Sequence, residues 1–108
     1  MIIRKAAARA EFHAEKMGKA TLAAGENLFA GLNAFEPGQA HRLHTHEGQD
    51  KFYFVIEGEG DVTVGEEQAR IQPGDFVLAR SGEAHSLSNP GPGRLLVLVA
   101  MAPPPGTK

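Results

Sequence analysis

The sequence contains no cysteine and no tryptophan among its 108 residues. Without cysteine the chain can form neither a disulfide framework nor a thiol nucleophile, which excludes disulfide-stabilised folds and thiol catalysis. The absence agrees with a cytoplasmic protein, and that is the location we expect. A chain of this length builds one domain around one core, because a second domain has no room.

An excess of charge of one sign and long hydrophobic runs are also lacking. Lys and Arg number 11 against 13 Asp and Glu, the formal net charge is -2, and no basic block stands out. This balance lacks the electrostatic footprint of nucleic-acid binding. The longest apolar run, residues 95–102, is far shorter than a membrane span, and the N-terminus has no apolar stretch of the signal-peptide kind. We therefore expect a soluble protein with neither a nucleic-acid nor a membrane partner.

Short apolar and β-branched segments, separated by turns rich in Gly and Pro, occupy most of the chain. Such segments at close, even spacing are typical of strands. The predicted strands are residues 21–24, 28–35, 52–56, 61–64, 69–72, 75–79, 84–87 and 94–101. The pattern predicts an all-β fold, a double-sheet jelly roll or a small barrel.

The two ends of the chain differ from this pattern. Residues 5–20 favour helix by intrinsic propensity, with Gly18 as a possible C-cap. The alternative is an extended arm that lies on the barrel or on a partner chain. At the other end, three consecutive prolines prevent the tail from joining a sheet. We divide the chain into an N-terminal arm with an edge strand (1–27), a barrel (28–101) and a proline-rich tail (102–108).

Histidines mark the candidate site. His44 and His46 lie two residues apart, and because the side-chain period of a strand is two, both imidazoles should project from one face as a chelate. His85 begins another predicted strand and supplies a third imidazole. His41 lies an odd number of residues from His44, so a regular strand would turn it to the other face, as a surface residue or a support for the site.

The residues around these histidines resemble the two sequence motifs of the cupin superfamily. The first motif is matched by Gly38, His44, His46 and Gly58. The second is matched by Gly74, Gly82, His85 and Asn89, with Arg80 where proline is usual. The resemblance covers roughly residues 28–101. It implies a double-stranded β-helix that holds one divalent transition metal, Fe, Mn, Ni, Cu or Zn, through the three histidines.

The fourth metal ligand is where the sequence departs from the family. The position where cupins usually carry Glu holds Lys51, whose ammonium has no lone pair. Gln49 shares strand parity with Lys51 and offers an amide oxygen, so we take it as the fourth ligand. Asp50 fits a shorter spacing but should point to the opposite face unless a bulge turns it. Water is the third alternative.

Lys51 itself has two interpretations. Inside the cavity it would bind a substrate carboxylate or enolate as a point charge, with Tyr53, which shares its parity, on the same wall. At a strand edge, which is the commoner arrangement, it would extend to solvent. Tyr53 would then be an ordinary core residue.

The resemblance implies two classes of function. One is a metal-dependent enzyme, an oxygenase or isomerase acting on a small acid, a diketone or a sugar-like compound. The other is a non-catalytic module that binds a small molecule, which the missing Glu favours. We also expect a homodimer, because small cupins commonly pair through sheet edges, and the arm and tail have no obvious place on a single barrel.

Overall fold

The computed structural model describes residues 1–105 and consists of one helical turn followed by strands. The turn is a 3-10 helix, η1, at Ala6–Arg9. The strands are β1 (Gly18–Ala24), β2 (Phe29–Phe35), β3 (Ala40–His44), β4 (Asp50–Glu57), β5 (Gly60–Val64), β6 (Glu67–Ile71), β7 (Phe76–Ala79), β8 (His85–Ser88) and β9 (Leu95–Ala102). Within the described residues, no helix has the length and apolar character needed to cross a bilayer.

The strands form two antiparallel sheets that pack face to face. The larger sheet has the order β1-β2-β9-β4-β7 and the smaller has the order β3-β8-β5-β6. Alternate side chains of both sheets meet in one core, which contains Phe35, Tyr53 and Val97 from the larger sheet and Val62 and Leu87 from the smaller. Burying one face of each sheet is what the alternating sequence demands. The prediction of an all-β double-stranded β-helix is confirmed.

The predicted helix over residues 5–20 is wrong. Only η1 is helical, and Gly18 begins β1 instead of capping a helix. Propensity favoured helix, but the segment has too few apolar residues at helical spacing to bury a helix face. The chain instead lies as an arm on the outer face of the larger sheet, where Phe12 packs beside Leu32 and Leu96. The guanidinium of Arg94 covers the ring of Phe12 at 4.3 Å from its centroid.

The glycines of the two motifs occupy turns with positive φ, as the sequence indicated, and two of them offer a matched test. Gly58 and Gly74 have φ of 82° and 93°. A Cβ at Gly74 would meet nothing within 4 Å, whereas a Cβ at Gly58 would overlap the carbonyl oxygen of Arg94.

Gly74→Ala is therefore expected to lower the free energy of unfolding by about 1–2 kcal/mol, the cost of left-handed backbone for a residue with a Cβ. Gly58→Ala adds a backbone collision to that strain and should cost roughly 3–5 kcal/mol. Urea unfolding of the two variants measures the difference. Equal losses would show that the Gly58 turn moves away from Arg94 at no cost.

The sandwich has two open sides, because each sheet ends in two edge strands. β1 and β3 border one side, and residues of both line a groove there. β6 and β7 border the other side, where a second groove runs between them. The histidines lie on β3, in the turn after it and on β8, so the candidate site opens on the side of β1 and β3.

Candidate functional site

The fold brings together the three histidines that the sequence singled out. His44 ends β3 and pairs in register with His85, the first residue of β8. His46 follows in the turn before β4. One ring nitrogen from each histidine can be chosen so that all three lie within 4.8 Å of one another. Two metal to imidazole bonds of about 2 Å span at most about 4 Å, so the three nitrogens are close to the spacing that one shared ion needs.

The hydrogen bonds of two of these rings leave the ligand nitrogens free. Nδ1 of His44 lies 2.6 Å from the carbonyl oxygen of Arg42, and Nδ1 of His85 lies 2.9 Å from that of Glu83. A carbonyl only accepts, so each Nδ1 carries the proton and each neutral Nε2 keeps its lone pair. Both Nε2 atoms are buried without a hydrogen-bond partner among the described residues. Backbone bonds of this kind orient metal-binding histidines, so these residues fit a transition metal.

The surroundings also keep the three imidazoles neutral. Burial is the largest cause that lowers the pKa of His44, His46 and His85 below the ordinary histidine value. The positive charge of Lys51 lowers the pKa of all three further. Neutral imidazole is the form that coordinates a metal, so the site is prepared for an ion near neutral pH.

The prediction that His41 faces away from the site is wrong. The pairing of β3 with β8 shifts register between His41 and His44, and this irregularity breaks the strict alternation on which the prediction depended. The His41 ring lies 4.3 Å from the His44 ring, centroid to centroid, and lines the same cavity. Burial, with a smaller effect of Lys51, lowers the pKa of His41 to about 3.

The interpretation that Lys51 extends to solvent is also wrong. Lys51 is only 4% exposed and lines the cavity beside the histidines. Its Nζ lies 5.0 Å from the ring centroid of Tyr53. Burial, and then the charge of Lys19, lower the pKa of Lys51 to about 8, so the ammonium stays mostly protonated at neutral pH. The buried ammonium of Lys51 therefore occupies the position where the cupin motif usually has a metal-binding Glu.

Tyr53 lies in the hydrophobic core and not on the cavity wall, so the core interpretation of this residue is the one the structure supports. It is fully buried in the core, its ring is 6.2 Å from that of His85, and burial raises the pKa of its hydroxyl. It is not among the described residues that line the cavity. The hydroxyl has no hydrogen-bond partner among the described residues.

The two side chains weighed as a fourth ligand make other contacts. The amide nitrogen of Gln49 donates to the carbonyl oxygen of Pro103 at 2.8 Å, and Gln49 is not among the described residues of the cavity wall. Asp50 is exposed and accepts a bond from the backbone N–H of Ser81 at 2.9 Å. Its outward direction is the one that strand parity predicted. The role of Gln49 as a ligand stays a prediction. The C-terminal tail lies partly outside the described residues, which end at residue 105.

The cavity contains polar residues that the sequence analysis missed. Its volume is about 290 Å³, and Asn33 and Lys19 line it with Lys51 and with three of the histidines, His41, His44 and His46. Asn33 is the one polar residue in the apolar strand β2, and this exception could have marked it as a cavity residue. Lys19 lies on β1, a strand that begins inside the wrongly predicted helix. Val99 and Met101 of β9 form an apolar wall.

Solved structures of other proteins have a similar fold. The crystal structure of TT1209 from Thermus thermophilus has a TM-score of 0.93 and 40% sequence identity, and the match covers 97% of this chain and 100% of that one. A predicted oxalate decarboxylase from Thermotoga maritima has a TM-score of 0.69 and 29% identity, covering 73% of this chain and 69% of that one.

A curated relative extends the comparison. The oxalate-binding protein of Thermotoga maritima is 38% identical over 64 residues, which are 59% of this chain and 52% of that protein. This chain thus spans about half the length of that relative. The family model described as Cupin domain matches residues 31–101, well over half of the chain. The protein therefore belongs to the cupin family.

Proposed function

We propose that the protein binds a small carboxylic acid, with oxalate as its simplest form, at a divalent transition metal held by His44, His46 and His85. The observation that carries the proposal is the convergence of unpartnered imidazole nitrogens beside the buried ammonium of Lys51. When bound, the metal would supply a Lewis acid for the carboxylate oxygens. Relatives named as an oxalate-binding protein and a predicted oxalate decarboxylase support this ligand class.

The residues of the chain account for selectivity toward an acid. Lys51 offers a positive charge to a carboxylate inside a low-dielectric cavity, where a charge-assisted hydrogen bond is strong. Asn33 offers an amide that can donate or accept. Val99 and Met101 keep water from one side of the ligand. The volume of about 290 Å³ lies at the lower end of the range for ligand pockets and admits a small acid.

The metal site could also catalyse a reaction of the bound compound. Three imidazole ligands leave positions open on a transition metal, which supports oxygenase or isomerase activity on a small acid, a diketone or a sugar-like compound. A non-catalytic binding module remains the alternative, and the cation at Lys51 in place of Glu favours it. Oxygen consumption on a panel of these compounds separates the two.

The test of the binding proposal combines metal analysis with calorimetry. Protein purified without chelator is expected to carry one transition metal per chain and to bind oxalate, and removal of the metal should weaken oxalate binding more than about tenfold. Succinate, which cannot chelate as tightly, serves as the control ligand. Unchanged oxalate affinity after chelation, or absence of bound metal, would contradict the proposal.

The expected homodimer and cytoplasmic location stay predictions. The outer face of β4 and β7 exposes Phe54, Phe76 and Leu78, a surface that a second copy could cover. Light scattering at several concentrations measures the mass, and a strictly monomeric value would exclude the dimer.

A further inference from the structure

A second groove adjoins the metal cavity on its outer side. It has a volume of about 640 Å³ and runs between the edge strand β3 and the residues that lead into β1. Lys19, His41 and His44 line both spaces, so the groove and the cavity adjoin at these three residues. The groove is larger than oxalate needs, which leaves its role open.

The groove is positively charged although the chain has a net charge of -2. Lys16, Lys19 and Arg42 line it, and no acidic residue does so among those the structure describes. None of the three cations forms a salt bridge within the described part of the chain. Glu15 lies in an adjoining depression that Lys16 and Arg42 also border. Cations without acidic partners around a concave site attract anions and raise the local concentration of those anions.

Apolar side chains line the same groove as these cations. Leu43 is 62% exposed, which is unusual for a large aliphatic residue on a strand, and it lines the groove with Met17. Arg42 and Leu43 directly precede His44 on β3, and all three line the groove. An extended ligand in the groove would meet imidazole nitrogens, apolar side chains and cations.

We infer that the natural ligand is a longer acid with two anionic ends: a chelating head at the histidines, a short apolar body against Leu43 and Met17, and a distal carboxylate or phosphate at Lys16 and Arg42. The inference rests on the proposed function, since it places the head at the same histidines. It adds a specificity subsite outside the cavity. Oxalate would then fill only part of the site.

Two 2-oxo acids of equal length provide the test, because they share a chelating head and differ only at the far end. 2-Oxoadipate carries a distal carboxylate, and 2-oxohexanoate carries a methyl group there. Calorimetry on the protein with its metal, without oxygen, is expected to show 2-oxoadipate binding about tenfold more tightly at low salt. That preference should shrink in 0.5 M NaCl, where exposed charges are screened beyond roughly 4 Å.

The double variant Lys16→Gln, Arg42→Gln is expected to lose this preference, with 2-oxohexanoate bound as in the native protein. The control variant Arg4→Gln, Arg9→Gln removes the same charge from exposed positions on the arm and should keep the preference. Equal affinity of the native protein for the two acids, or equal losses in both variants, would overturn the subsite while oxalate binding stands. Failure of oxalate and both 2-oxo acids to bind would overturn the proposed function and the subsite with it.

Discussion

His85→Ala is expected to abolish stoichiometric metal binding, raising the dissociation constant more than about 100-fold. Loss of a residue that merely supports a ligand costs about 10–100-fold, and loss of a ligand should cost more. Metal analysis after equilibrium dialysis measures the affinity. Melting provides a second readout, because a metal at about 100 times its dissociation constant stabilises the native protein by about 2.7 kcal/mol and should not stabilise the variant.

His85 is only 1% exposed, so its removal also leaves a cavity that lowers stability by itself. His44→Ala is therefore the companion variant, because His44 is less buried and its loss disturbs packing less. His13→Ala is the matched control, since its half-exposed side chain lies on the arm and its nitrogens are not among the three that lie together. Near-unit metal content in both His44→Ala and His85→Ala would contradict the site.

Lys51→Glu is expected to strengthen metal binding and to weaken oxalate binding. A carboxylate at the position where related cupins carry Glu adds a ligand and replaces a repelling charge, so metal affinity should rise about tenfold or more. The same carboxylate repels a bound acid, so oxalate affinity should fall by at least about 100-fold. Calorimetry with metal and then with oxalate measures both changes on one sample.

Lys51→Met removes the ammonium without adding a carboxylate, so it measures the effect of the charge alone. Methionine has a similar shape, so the buried side chain keeps its packing while the ammonium is removed. Metal affinity should rise, but less than in Lys51→Glu, because the repelling charge is lost and no ligand is added. Oxalate affinity should fall about 10–100-fold, the worth of a charged hydrogen bond. Unchanged oxalate binding in Lys51→Met would remove Lys51 from the acid site.

The strands were predictable because their signal is local. Alternation in β4 places Tyr53 and Val55 inside and Phe54 outside, as parity indicated, since a half-buried strand must alternate. The extended arm was one of two alternatives for residues 5–20, because no local signal selected it over a helix. Helix propensity at residues 5–20 is weak compared with the packing of Phe12 on the larger sheet, and that packing involves residues distant in sequence.

The directions of the His41 and Lys51 side chains could not be predicted from the sequence. A regular strand would have turned His41 outward, but the irregular pairing of β3 with β8 depends on two segments that are far apart in the chain. The direction of Lys51 depended on which sheet face became the cavity. Parity related Lys51 to Tyr53 without deciding whether their common face held water or protein.

The all-β architecture and the turns at the motif glycines could be predicted from the sequence, because they follow from local spacing and residue chemistry. The same spacing pairs His44 with His46, and the resemblance to the cupin motifs adds His85. The convergence of the imidazole nitrogens, the burial of Lys51 beside them and the basic groove next to the cavity became visible only in the folded protein. These features join β1, β3, β4 and β8, and their distances are set by sheet packing, which no local pattern encodes.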